Sequence, residues 1–164
     1  YVAKKAGEAV GYAVETFTKN GFGGRIDLMV GFDAKGVICD FSVLKHGETP
    51  GLGAKMDEWF HADSKGGNIQ NMKGVDMAAE NGTLVVAKDG GKVDAITAST
   101  ITSRAFLDAV NRAYKYYLEA AGSVPAGAEA TDASAAVPQD EASTAAETPS
   151  TEDNAAPAEK GDNK

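Results

Sequence analysis

The chain has 164 residues, with 16 Lys and Arg against 24 Asp and Glu, and one cysteine. Its net charge of −8 is uneven: residues 122–164 hold nine acidic and two basic residues, a net of −7, which leaves −1 (15 acidic, 14 basic) for residues 1–121. A nearly neutral domain without a basic stripe argues against nucleic-acid binding, one cysteine excludes an internal disulfide and a cysteine-rich metal site, and no apolar run approaches the ~18 residues that span a bilayer.

Tyr1 to Thr18 reads as two short β segments around a turn at 4–8, with Val10, Tyr12 and Val14 alternating against smaller or polar residues. Asn20-Gly21 and Gly23-Gly24 predict a loop. Ile26, Leu28, Val30 and Phe32 alternate strictly with Asp27, Met29 and Gly31, which predicts a half-buried strand. Asp33-Ala34-Lys35-Gly36 predicts a hairpin turn with Gly36 at positive φ. Val37 to Leu44 is the returning strand, with Cys39 read as a core thiol. A glycine-rich loop, His46 to Gly53, precedes a short helix with Met56, Trp59 and Phe60 on one face.

Residues 62–82 are polar and loop-rich, and Thr83–Ala87 and Val93–Ile96 predict a second hairpin around Lys88–Lys92. The closing helix carries Phe106, Val110, Ala113 and Tyr117 as an apolar stripe, and Arg104, Asp108 and Arg112 as an i, i+4 charge ladder. This order is an α+β fold: mostly antiparallel strands, a short mid-chain helix and a C-terminal helix. Without a βα repeat there is no Rossmann unit. After Ala121 aromatics vanish, Val124 and Val137 are the only large aliphatics, and four of five prolines appear. A segment that buries so little apolar area cannot offset its chain entropy. The division is one domain over residues 1–121 and a disordered acidic tail over 122–164, read as solvated rather than as a docking arm.

Two segments carry more hydroxyls and glycines than a scaffold needs. Thr97, Ser99, Thr100, Thr102 and Ser103 are five hydroxyls within seven residues, at the start of the long helix. Free backbone N–H groups there favour an anion; Ser99 or Thr100 also suits an N-cap, and the readings are compatible. In the His46–Gly53 loop the glycines permit close approach to a flat ligand, Leu52 offers an apolar face, and Glu48 and Thr49 offer polar contacts; a plain surface turn is the alternative. His46 and His61 lack metal-ligand spacing. Asp94 beside a threonine is too little for a hydrolase, and Trp59 and Phe60 read as core.

At these two segments the chain resembles the FMN-binding domain shared by the RnfG and NqrC subunits of membrane-bound electron-transport complexes. In that family a Ser/Thr-Gly-Ala-Thr motif preceded by Asp bears FMN on its last threonine through a phosphoester. The matching run is Asp94, then Thr97-Ala98-Ser99-Thr100, followed by Ile101-Thr102-Ser103-Arg104, with Ala98 where glycine and Ser99 where alanine is usual. The family's Glu-Thr-Pro-Gly-Leu-Gly loop stands intact as Glu48-Thr49-Pro50-Gly51-Leu52-Gly53, followed by Ala54-Lys55. The likeness covers most of residues 7–120, including Gly11-Tyr12, Gly23-Gly24 and the closing helix; the tail has no counterpart.

The resemblance implies FMN esterified to Thr100, with Thr97, Ala98, Ser99 and Ile101 around the attachment and Glu48, Thr49, Gly51, Leu52, Gly53 and Lys55 in the loop facing it. The redox chemistry would be the ring's, and no residue reads as an acid–base catalyst. It further implies a membrane helix upstream of Tyr1, a place on the extracytoplasmic (periplasmic) side of a bacterial membrane, and integral-membrane partner subunits of an ion-translocating ferredoxin:NAD oxidoreductase, the Nqr complex being the close relative. A Mg-dependent flavin transferase using FAD would install the FMN. The alternative is a flavin-free binding or assembly module of the same ancestry, supported by the Ala98-Ser99 change. A hydroxyl-nucleophile enzyme built on Thr97, Ser99 or Thr100 needs a basic partner that the sequence does not display.

Overall fold

Strict alternation over residues 26–32 builds the centre of the sheet. In the computed structural model, which describes residues 1–64 and 66–123, strands β1 (Val2–Lys5), β2 (Glu8–Gly21), β3 (Gly24–Asp33) and β4 (Ile38–His46) form one antiparallel meander in the order β1-β2-β3-β4. Ile26, Leu28, Val30 and Phe32 of β3 are buried and pair with Thr18, Thr16, Val14 and Tyr12 of β2. A 3-10 turn, Gly53–Lys55, leads into α1 (Met56–His61), and α2 (Thr100–Ser123) packs against β2 and β3. The expected α+β architecture is therefore observed. The helix runs two residues past the compositional break at Ala121; the rest of the expected tail lies outside the described residues. Among the described residues no helix is long and apolar enough to cross a membrane.

The predicted stripe of α2 is buried at Phe106, Val110, Ala113 and Tyr117. Each large apolar side chain so buried contributes about 1.5–3 kcal/mol. Phe106 stacks on Phe60 of α1 at 4.2 Å and meets Phe41 of β4 edge-on at 5.0 Å. Tyr117 packs on Tyr12 and Phe32, each at 5.1 Å, and its hydroxyl donates to the Ala34 carbonyl in the β3–β4 turn. These contacts fix the axis of α2, and so the place of its first turn.

Four expectations need correction. The loop expected at residues 20–24 is a tight turn, because β2 and β3 stay paired out to Gly21↔Gly24. Cys39 is exposed rather than core: β3–β4 pairing shifts register between Gly31↔Asp40 and Phe32↔Ile38, so Cys39 is the extra residue of a bulge and the in–out alternation breaks there. Segments 83–87 and 93–96 form no hairpin. Val86 and Val93 meet in a single parallel bridge, Val93 bridges Ile69 in the same sense, and residues 87–89 coil into a 3-10 turn. The Asn111 side chain supplies the missing ladder, donating to the Leu84 carbonyl and accepting from its N–H. The charge ladder on α2 is half formed. Arg112 pairs with Asp108 at 3.0 Å, whereas Arg104 turns to Asp89.

His61, at the end of α1, lies flat on Phe41 with ring centroids 4.1 Å apart. Its Nε2 is 2.9 Å from an Asp40 oxygen and its Nδ1 is 2.7 Å from the Asp57 carbonyl, so both partners are acceptors and favour the imidazolium. Burial alone would lower its pKa, but the hydrogen bonds to Asp40 and Asp57 and the charges of both carboxylates raise it above the ordinary 6.5. The His61 hydrogen bond, then the Phe41 N–H, lower Asp40 below 3.8. The raised histidine contributes stability that is full below 6.5 and lost as pH rises through its folded value. The lowered aspartate contributes stability present above 3.8 and lost as pH falls through its own. An NMR titration should place the His61 midpoint above 6.5, falling in Asp40→Asn; a wild-type midpoint at or below 6.5 would contradict this pairing.

Candidate functional site

Three segments far apart in sequence converge at the N-terminus of α2: the β2–β3 turn, the 46–53 loop and the segment entering the helix. Between them lies an open cavity of about 330 Å³, lined by Phe22, Glu48, Thr49, Leu52, Gly53, Ala98, Ser99, Thr100, Ile101 and Thr102. The two segments singled out in the sequence thus form the walls of one cavity.

The loop is shaped by a turn over Thr49-Pro50-Gly51-Leu52, closed by the Leu52 N–H donating to the Thr49 carbonyl at 3.1 Å. Proline fits the second place of such a turn and glycine, here at φ +75°, the third. The turn lifts Leu52, 41 % exposed, to the cavity rim. Gly51 therefore acts through backbone shape and lies outside the lining. So does Lys55, which is exposed on the following 3-10 turn.

Glu48 ties the three segments together. It is 5 % exposed; one carboxylate oxygen accepts from the Gly23 N–H at 2.8 Å, and the other accepts from the Thr102 hydroxyl. The site closes this tightly only because glycines surround the carboxylate. A Cβ on Gly23 would run into the Gly47 carbonyl, and one on Gly53 would lie 2.5 Å from both Glu48 Oε2 and Thr102 Oγ1. Glu48 is therefore a post holding the cavity open, with its oxygens already engaged.

On the helix side, the Ser99 N–H donates to the Ile96 carbonyl, closing a turn whose third residue is Ala98 at φ +60°. A non-glycine residue there stores of order 1–2 kcal/mol. The strain is held by Ser103, whose hydroxyl accepts from the Ile96 N–H at 2.9 Å and donates to the Ser99 carbonyl at 3.0 Å. The Ser99 carbonyl also accepts the first helical bond, from the Ser103 N–H, so Ser99 occupies the N-cap position. The methyl of Ala98 thus does not prevent the left-handed turn that glycine would make with less strain.

The five hydroxyls divide by their surroundings. Thr97 is exposed and outside the cavity lining, Ser99 lines it but is buried, and Thr102 and Ser103 are engaged by Glu48 and the turn. Thr100, half-buried at the first helical position, presents its Oγ1 to the Lys88 ammonium at 3.3 Å. Asp94 stands apart: its carboxylate accepts from Asn68 at 2.7 Å, and its carbonyl accepts from the Trp59 indole.

Sequence patterns alone do not point to two residues of this site. Phe22, 69 % exposed at the tip of the β2–β3 turn, joins Leu52 and Ile101 in an apolar rim. Its position between two glycine-bearing pairs was the available signal. Lys88 comes from a stretch that reads as a hairpin tip, and nothing local marks it.

The family model for the FMN-binding domain matches residues 21–115. The G subunit of an ion-translocating oxidoreductase complex from Shewanella loihica is 40 % identical over 118 residues, covering 71 % of this chain and 53 % of that protein. Its counterpart from Pseudoalteromonas atlantica is 39 % identical over 117 residues, with 71 % and 53 % covered. The G subunit of the Na+-translocating ferredoxin:NAD+ oxidoreductase complex of Acetobacterium woodii is 36 % identical over 118 residues, with 71 % and 54 % covered. The chain spans about half the length of the curated relatives it matches.

Proposed function

The chain belongs to the FMN-binding domain family, and from that premise we propose that it carries FMN as an ester of Thr100 and passes electrons within an ion-translocating oxidoreductase complex. The observation that carries this reading is the cavity at the start of α2, where Thr100 is the hydroxyl set beside a cation while its neighbours are buried, engaged or outside. The residues fit the group. Backbone N–H groups of the first helical turn favour a phosphate, the small side chains of Ala98 and Ser99 leave the threonine approachable, and Phe22, Leu52 and Ile101 offer apolar surface to a ring. When bound, the isoalloxazine supplies the one- and two-electron redox chemistry. The chain's part is to tether the phosphate at Thr100, shape the cavity through Glu48 and leave the open rim accessible to a partner.

The relatives' names support the larger assignment: each is the G subunit of an ion-translocating complex, in one case acting between ferredoxin and NAD+. On this reading the partners are the complex's other subunits, the domain sits on the extracytoplasmic side of the membrane, held by a segment preceding Tyr1, and a flavin transferase loads Thr100 from FAD.

The test is made on protein co-produced with such a transferase. The polypeptide should stay yellow after acid denaturation, and the folded protein should bleach with dithionite and recover its colour in air. Release of all flavin on denaturation would contradict the tether. A colourless product, with the transferase active on a control substrate, would favour the flavin-free module.

A further inference from the structure

We propose that Lys88 is the cation of the phosphate subsite at Thr100, a role that rests on Thr100 being the attachment point. Its Nζ donates to Thr100 Oγ1 at 3.3 Å, and a lysine ammonium has three donors and no acceptor. The threonine oxygen is thus held by a donor while its own proton points elsewhere. A group esterified at that oxygen would carry its anionic phosphate oxygens within reach of the same ammonium.

The placement of Lys88 is built by its neighbours. Residues 87–89 form a 3-10 turn ended by Gly90 at φ +87°, so Lys88 projects from a compact knuckle. The next residue, Asp89, grips Arg104 with two bonds of 2.7 Å, Nε to one oxygen and Nη2 to the other. Arg104 lies four residues after Thr100, one turn along α2. The fork therefore clamps the knuckle to the helix one turn beyond Thr100, and Lys88 is left facing the threonine. The clamp also engages Arg104, whose guanidinium is committed to Asp89 and leaves Lys88 as the cation on the threonine oxygen. A planar fork suits the fixed clamp, and a compact ammonium on a flexible stem suits a phosphate.

The loading step defines what the ammonium does. Thr100 Oγ1 forms a bond to phosphorus of FAD, the pyrophosphate P–O bond breaks with AMP leaving, and the hydroxyl proton passes to a base of the transferase. Lys88 takes no proton; it stabilises negative charge building on Oγ1 and then on the phosphodiester, as preorganised donors do.

The experiment follows FMN incorporation by intact mass over time in the full chain presented to an active transferase, for wild type, Lys88→Met and Lys88→Arg. Loss of a charge-assisted hydrogen bond predicts initial loading about 10- to 100-fold slower in Lys88→Met. Lys88→Arg, which keeps the charge, should stay within about threefold of wild type, and all three should melt together because the side chain is exposed. The phosphorus-31 resonance of slowly loaded Lys88→Met should shift from the wild-type position, as a merely structural role would not require. Wild-type loading by Lys88→Met, or equal slowing in Met and Arg, overturns the proposal while the tether stands. A wild type that gains no mass sinks both.

Discussion

Thr100→Ala should abolish covalent FMN, taking incorporation from near-complete to none, while unfolding free energy changes by less than about 1 kcal/mol. The two halves of this expectation have separate causes. The stability term is small because Thr100 is half-buried at the first helical position and the cap belongs to Ser99, whose carbonyl takes the first helical bond. The loading term is complete because no neighbour substitutes. Ser99 is 8 % exposed, and the Thr102 and Ser103 hydroxyls already serve Glu48 and the Ile96–Ser99 turn. Thr100→Ser keeps an oxygen beside Lys88 and should still load. Loading of Thr100→Ala at Ser99 would show that the turn opens enough to expose a second hydroxyl.

Glu48→Ala should be the most damaging single substitution in the cavity wall. It removes a side chain that is itself 5 % exposed and strips the acceptors from the Gly23 N–H and the buried Thr102 hydroxyl. The buried Thr102 donor left unpaired costs about 1–3 kcal/mol, and the Gly23 N–H, on an exposed turn, adds less. A loss of about 1–3 kcal/mol is therefore expected in denaturant unfolding, with an unchanged slope. Glu48→Gln should lose less, because its amide oxygen can still accept from Gly23 while its NH2 donates to the threonine oxygen. Loading should follow stability, since the 22–23 turn, the 46–53 loop and the helix start are joined through this one side chain. A Glu48→Ala protein within about 0.5 kcal/mol of wild type would remove Glu48 from its place as the post.

Much of this was legible because local rules agreed with the final packing. Ile26, Leu28, Val30 and Phe32 alternate without interruption and all are buried; the stripe Phe106–Tyr117 likewise faces the sheet. Gly36 takes the positive φ its turn requires, at +85°. The resemblance at residues 48–53 and 97–100 pointed to two stretches that prove to be neighbours.

The misses are places where tertiary structure decides. Met72 and Met77 are fully buried in a segment that reads as polar loop, since single apolar residues in irregular chain leave no period to detect. Their anchoring is by isolated bonds such as Met72 N–H to the Phe60 carbonyl at 2.8 Å. Segments 83–87 and 93–96 alternate like strands, yet Asn111 of α2 and Ile69 provide the partners a hairpin would have provided. Cys39 fell on the wrong side because one bulge residue inverts an alternation count. Lys88 was invisible for a similar reason: the Asp89–Arg104 fork that aims it joins residues 15 apart in sequence.

The central claim is tested most directly by mass spectrometry of the chain co-produced with a flavin transferase, intact and then as mapped peptides. A gain equal to FMN less one water, localised to Thr100 and lost in Thr100→Ala, is the predicted result. An unchanged mass from a transferase active on a control substrate, or an adduct on any other residue, would contradict it.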